Sequence, residues 1–326
     1  MSFYLNRYYH IDNMGKEDFM CSSLDCWEQF LYFILREKTD KYKFAFCDDI
    51  NISFLMGEGK REVGLYSLRM YKDLFSIRKY DKPNKPDEII NKILLENKIA
   101  VVKPYFNLLE PYCWYNGDIE KKYIQHNLGI VGQDEDDYFF IDSPSVFRKG
   151  KIRPYDQKRN IYRMNKEYFL RICREFCEIR DISVIEKNLK YINKLSQIIK
   201  IIINNYHTET EKETRYIGRK ALILLMEMLQ KKEEEQCSFF IHHFEAHMVY
   251  SKHLILRWCM EEDKEHYFES IKVLDILISN LRKFVVLIAE SGDKTLFYYR
   301  QKIIELINEW LNLEDRLILT LEKISY

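Results

Sequence analysis

The spacing of apolar and polar positions changes character near residue 155. Before it, Cys21 to Arg36 places Leu24, Trp27, Phe30, Leu31, Ile34 and Leu35 at the three-and-four spacing of an amphipathic helix. Phe44 to Phe46 and Ile50 to Met56 read as short extended or turn segments. Glu62 to Leu74 reads as a second helix, and Pro86 to Asn97 as another that starts near Asp87 and Glu88. Ile99 to Lys103 is a short buried-strand pattern ended by Pro104. Leu128 to Val131 and Tyr138 to Ile141 are two further strands, joined by the polar turn Gly132 to Asp137. Helix first and hairpin later is an α+β layout.

Beyond about residue 165 the pattern is almost purely helical. Tyr168 to Arg180, Ile182 to Asn205, Glu211 to Glu234, Ser238 to Glu261, Lys264 to Ser291 and Asp293 to Ile324 all repeat near 3.6 residues. Ser183 and Asp293 are expected caps, and Ser291-Gly292-Asp293 is a stop followed by a start. No fixed-period repeat stands out. The expected organisation is an α+β domain over residues 1–155 and an all-α bundle of five or six long helices over residues 156–326.

Composition narrows the function classes. The chain has 326 residues, 47% hydrophobic and 15% aromatic, with only 10 Gly and 6 Pro, so two sizeable cores are within reach. Lys+Arg and Asp+Glu balance at 51 each, which removes the basic excess of a nucleic-acid binder. A small molecule or a protein is the expected partner. The eight cysteines follow no disulfide framework. The N-terminus lacks a secretory apolar core, and the longest aliphatic run, Ile198 to Ile203, is broken by Lys200 and too short to span a bilayer. A cytoplasmic protein with reduced thiols and no membrane contact is the expectation.

Three residues carry candidate chemistry. Cys21 opens the first helical run, where unpaired N–H groups and the helix dipole stabilise a thiolate and can hold an oxyanion. The plainer reading is a buried structural cysteine. Cys26 lies further along the same run, where backbone N–H groups are already paired, and is expected in the core. His126 heads one strand and Asp142 closes the next, so a hairpin sets imidazole and carboxylate side by side, as a base and its orienter require. A strand-edge histidine and a turn-forming aspartate before Ser143-Pro144 would look the same. Tyr105, Tyr112, Trp114 and Tyr115 either cap the core or form a pocket wall; both readings stand. His242, His243, His247, His253 and His266 cluster in the helical half, and His243 and His247 have metal-ligand spacing. No third ligand is evident, so no metal site is assigned.

The segment Cys21-Ser22-Ser23-Leu24-Asp25-Cys26-Trp27-Glu28-Gln29-Phe30-Leu31-Tyr32-Phe33 resembles the nucleophile helix of papain-like proteins of the bacteriocin leader-peptidase type. Their Cys is followed by apolar residues five and nine places on and then an aromatic pair; Cys26, Phe30 and Tyr32-Phe33 occupy those places. His126 to Asp134, followed by Tyr138 to Pro144, is similar to their element of His, strand, Gly turn, strand and Asp before Pro. With a helical C-terminal half, the chain more closely resembles the butirosin-biosynthesis acyltransferase family and the diamine-condensing, amide-forming enzymes of closthioamide-type assembly. The resemblance covers roughly residues 10–150 through short motifs. It implies a papain-like domain in which His126 deprotonates Cys21, Asp142 orients His126, and Cys21 takes an acyl group from a carrier-protein thioester. A small amine or diamine then resolves the acyl-enzyme to an amide, with Tyr105, Trp114 and Tyr115 lining the site and no cofactor. The leader peptidases place a Gln about six residues before the Cys; this chain has Gly15 there, so the second oxyanion donor is unassigned. A cysteine peptidase or amidase would use the same triad with water as acceptor. An unreactive Cys21 would instead point to a helical interaction protein.

Overall fold

In the computed structural model the described residues are 4–5, 26–47, 50–57, 60–65, 70–104, 127–141, 145–148, 151–154, 161–176, 178–208, 210–211, 215–231, 246–290 and 296–325. They form a mixed α+β structure with antiparallel sheets and a C-terminal helical region. The strands are β1 Tyr4–Leu5, β2 Ile52–Gly57, β3 Lys60–Leu65, β4 Phe75–Asp81, β5 Ala100–Val102, β6 Leu128–Gln133, β7 Asp137–Ile141, β8 Ser145–Arg148, β9 Lys151–Pro154, β10 Ile161–Asn165, β11 Glu178–Val184, β12 Thr210–Glu211 and β13 Arg215–Ile217. The helices are α1 Cys26–Arg36, α2 Pro86–Leu95, α3 Lys166–Phe176, α4 Leu195–His207, α5 Gly218–Gln230, α6 Ala246–Glu261, α7 Phe268–Glu290 and α8 Leu296–Ser325.

The chain makes two compact units. One comprises Met1–Lys38, Asp73–Val146 and Pro154–Leu189; the other comprises Thr39–Lys72, Phe147–Arg153 and Lys190–Tyr326. Strands continue past residue 155, where an all-helical pattern is expected: β10, β11, β12 and β13 all follow it. The compact units are cut differently, each assembled from separated stretches of chain.

The first unit is built on an antiparallel sheet in the order β10-β7-β6-β5-β11-β4, with β1 pairing on the far half of β6. Alternation along the strands sends Ile179, Ala100, Val102, Leu128, Ile130, Tyr138, Phe140 and Met164 to one face. There they meet Ile90, Ile93 and Leu94 of α2 and Phe169 of α3 in a single buried cluster. Pro86 at the first position and Asp87 and Glu88 in the first turn start α2 as the sequence leads one to expect. Helix α1 packs against β11. Phe30, Leu31, Tyr32, Phe33, Ile34 and Leu35 are all at most 5% exposed, so α1 is buried around its whole circumference and not along one stripe.

The hairpin of β6 and β7 matches its sequence pattern. Asp134 closes the turn: its Oδ1 accepts from Asp136 N at 3.0 Å and Asp137 N at 2.7 Å, and its N–H donates to the Asp137 carbonyl. A register shift between Ile130 and Gly132 makes Val131 a bulge residue.

Several expectations are corrected. Glu62 to Leu74 is not a helix: Lys60–Leu65 pairs in full register with β2, and Met70–Leu74 is a 3-10 turn. Phe44 to Phe46 belongs to a 3-10 helix, Asp40–Phe46, whose start is held by Thr39 Oγ1 accepting from Lys41 N. The run expected as two helices across Tyr168 to Asn205 contains β11, and Ser183 lies within that strand and caps nothing. Ile179 and Ile182 are three apart, which suits a helix face. Backbone pairing with both β4 and β5 decides otherwise, placing Ile179 and Ile182 on opposite faces of the sheet. The start of the Glu211 helix is replaced by β12 and β13, and α5 begins at Gly218.

The second unit joins the four-stranded sheet β12-β13-β2-β3 to helices α4 to α8. Helices α7 and α8 lie antiparallel: Ser270 donates to Thr320 at 3.0 Å, Asn280 to Glu309 at 2.8 Å, and the rings of Phe284 and Trp310 are 5.7 Å apart. Helix α4 is tied to α8 by Tyr206 donating to Asp315 at 2.7 Å, and α5 by Arg219 to the same carboxylate at 3.1 Å. Gly218, at φ +53°, turns the chain from β13 into α5 directly over the end of α4. A Cβ there would stand 3.0 Å from Tyr206 Cα and 3.2 Å from its carbonyl oxygen. Replacing Gly218 with Ala therefore combines a left-handed backbone with a contact against main chain that cannot swing aside. Gly218→Ala is expected to lower unfolding stability by about 2 kcal/mol in urea denaturation.

Candidate functional site

Cys21, His126 and Asp142, and the wall residues Tyr105, Trp114 and Tyr115, lie outside the described residues. The described residues that flank them are all in the first unit, and their positions are defined by strand register. Leu128 pairs with Val102 and Val102 with Ile179, while Gly129 stands opposite Ile141. The start of β6, the end of β7, the end of β5 and the start of β11 therefore share one end of the sheet. Asn127, next in sequence to His126, is 8% exposed at that end. Lys103, two residues before Tyr105, extends β5 by donating its N–H to the Glu178 carbonyl at 2.9 Å.

Helix α1 reaches the same end through its first turn. The Arg180 guanidinium lies 4.4 Å from the centroid of the Trp27 ring. Arg180 follows Ile179, so it projects from the sheet face opposite the α2 cluster, and this places α1 across the sheet from α2. The guanidinium is also ion-paired to Glu178, with the two side chains 12% and 20% exposed. Burial pushes the Glu178 carboxyl up. The hydrogen bond and charge of Arg180, with Lys79 and Lys103, outweigh that and hold it below the usual range. Glu28, also in the first turn of α1, is only 3% exposed.

A second charged group sits at the opposite end of β11's pairing with β5. Lys98 reaches Asp181 at 3.2 Å and Glu96 at 2.7 Å. Burial lowers the Lys98 ammonium, but its hydrogen bonds to Glu96 and Asp181 raise it overall.

A cavity of about 560 Å³, lined by Asn165, Glu167, Tyr168, Leu170 and Arg171, opens beside the start of α3. Asn165 pairs with Asp137, whereas Ile161 pairs with Ile141, so this cavity lies toward the hairpin turn and away from the end where β6 starts and β7 ends. Among the described residues no group of three or more His, Cys, Asp or Glu side chains is placed to hold a metal ion. No described helix is long and apolar enough to cross a membrane. The chain matches no protein-family model and no curated protein.

The Trp27–Arg180–Glu178 stack was not found by sequence reasoning. Its only sequence signal is alternating charge, Glu178 and Arg180 around Ile179, inside a stretch that reads as helix. Arg180→Ala is expected to cost about 2 kcal/mol at pH 7, because it removes the hydrogen-bonded partner of a largely buried carboxylate and leaves it the longer 3.9 Å ion pair to Lys79. The Glu178 pKa is depressed in the folded state. Its contribution is therefore complete above the unfolded value of about 4.3 and lost as pH falls through the folded value. The cost of Arg180→Ala should shrink between pH 7 and pH 3, measured by urea denaturation at each pH.

Proposed function

We propose that this chain is a papain-like cysteine acyltransferase, similar to the butirosin-biosynthesis family, that forms an amide from a carrier-protein thioester and an amine. Cys21 is the nucleophile, His126 its base and Asp142 the group that orients the imidazole. The observation that carries this reading is the convergence of flanks. The described residues nearest in sequence to His126, Asp142 and Tyr105 lie at the ends of β6, β7 and β5, which strand register sets at one end of one sheet; the first turn of α1, which begins five residues after Cys21, meets that sheet through Trp27 and Arg180. A nucleophile, base and orienter drawn from separate stretches of chain need such a meeting point.

The chemistry is balanced without a nucleotide. His126 takes the Cys21 proton as the sulfur attacks the thioester carbonyl, and the carrier thiol leaves with that proton. Exchange of one thioester for another is near-neutral in free energy, and aminolysis of the acyl-enzyme to an amide is downhill. The amine nitrogen attacks, its proton passes to His126, and Cys21 leaves as the thiol. Tyr105, Trp114 and Tyr115 are assigned to the wall that shields the acyl-enzyme from water. The expected setting is the cytoplasm, where the thiol stays reduced.

Intact-protein mass spectrometry after incubation with an acyl-loaded carrier protein tests the reading. An acyl adduct on Cys21, released by an amine as amide faster than as free acid, is the expected result. Cys21→Ala and His126→Ala should each lower transfer by at least ~10³-fold, with Asp142→Asn losing less, because members of such a unit act non-additively. Cys26→Ala should retain most activity. Hydrolysis that no amine diverts would mark a peptidase or amidase, and no adduct on Cys21 would rule out thiol catalysis.

A further inference from the structure

In the second unit two cysteine thiols, not joined by a disulfide, meet inside the core. Cys47 ends the 3-10 helix Asp40–Phe46 and Cys259 lies in the last turn of α6; both are fully buried, and their sulfurs are 3.8 Å apart. Cys259 donates its S–H to the Cys47 sulfur, and Cys47 donates its own to the Phe44 carbonyl at 3.7 Å. A disulfide needs about 2.05 Å, so the two sulfurs have about 1.8 Å to close between them.

The position gives such a bond a consequence. Thr39–Lys72 and Lys190–Tyr326 are two of the three stretches that make up the second unit, and non-covalent contacts join them. Strand β2 pairs with β13, Asn51 Nδ2 donates to the Ile202 carbonyl at 3.3 Å, and the Lys252 ammonium lies 5.7 Å from the centre of the Phe46 ring. Cys47 and Cys259 belong to the two different stretches and are 212 positions apart. A bond between them would close a very long loop and fasten the inserted segment to the bundle, the case in which a cross-link constrains the unfolded chain most.

We propose that Cys47 and Cys259 are a reversible redox pair that a small peroxide oxidises to a disulfide. One thiol gives up its proton, its sulfur attacks a peroxide oxygen, the O–O bond breaks, and that proton joins the departing hydroxide, leaving a sulfenic acid and water. The second sulfur then attacks the sulfenic sulfur, the S–O bond breaks, and the disulfide and a second water form. The two thiols lose two electrons in total and hydrogen peroxide gains them. A dithiol reductant reverses the step by exchange. Burial keeps the pair slow toward bulky reagents, so oxidation proceeds through local opening of the 3-10 helix end. The pair is independent of Cys21 and of the acyl-transfer reading.

The full-length chain treated with hydrogen peroxide, blocked with N-ethylmaleimide in denaturant and digested without reduction should yield a peptide linking Cys47 to Cys259. Thermal unfolding should shift upward by on the order of 10 °C. Dithiothreitol should abolish the linked peptide and the shift, and Cys47→Ser and Cys259→Ser should each lack both. Because a serine at either buried position can weaken the fold, the linked peptide in the unsubstituted chain is the deciding measurement. Recovery of Cys47 and Cys259 as blocked thiols, or as sulfinic acid without a link, overturns the proposal. A link that leaves the unfolding temperature unchanged overturns the fastening.

Discussion

Strand β11 is held from both faces and both edges, and the first unit depends on that. Its edges pair with β4 over seven residues and with β5 over three. On one face Ile179 enters the cluster that α2 and α3 complete; on the other, Arg180 reaches over Trp27 in α1. Without β11 the sheet would lose the join between β5 and β4, and α1 would lose its support. Burial of the apolar face supplies the driving force. The Arg180–Glu178 pair contributes mostly by fixing which way α1's first turn faces, since pairing two partly buried charges repays little beyond their desolvation.

The second unit solves a related problem with buried polar groups between helices. Glu314 is 4% exposed and accepts from Trp310 Nε1 at 2.7 Å. His253 is fully buried on α6, with Nδ1 2.7 Å from the Val249 carbonyl, which requires a proton on that nitrogen. Its Nε2 lies 3.7 Å from Glu314. Tyr206 pairs with Asp315 one position further along α8. Burial, the nearby Glu314 charge and the bond to Asp315 all push its hydroxyl well above the usual tyrosine range. The Tyr206–Asp315 bond, which crosses from α4 to α8, fixes the rotation and register of one helix against the other more sharply than aliphatic packing alone.

An antiparallel sheet is well suited to collecting chemistry from distant stretches of chain. Each hairpin returns the backbone to the end it left, so the residue before β6 and the residue after β7 are covalently adjacent to the same end of the sheet. Pairing of the fully buried β5 with both β6 and β11 brings two more strand ends to that place. The bulge at Val131 adds local twist without moving that end out of register, because Gly129 and Ile130 keep their partners.

The sequence by itself determined the elements whose signals are local. The hairpin of β6 and β7 follows from two apolar runs around an Asp-rich turn, α2 from Pro86 and its acidic first turn, and α7 and α8 from long 3.6-residue periodicity. The segments at Cys21, His126 and Asp142 were singled out from sequence alone, and those three residues lie outside the described residues. Tertiary structure decided what local signals could not. Ile179 and Ile182 suit a helix or a strand equally, and only partners far along the chain, Tyr80 and Val102 for the first and Ile77 for the second, settle the choice. Lys60–Leu65 is a strand because β2 is there to pair with it. The Trp27–Arg180 stack and the Cys47–Cys259 contact were likewise invisible, because a contact between residues more than a hundred positions apart leaves no periodicity to read. Local patterns record the conformation a segment prefers alone; the partner that fills its hydrogen bonds and buries its side chains exists only once the chain has folded.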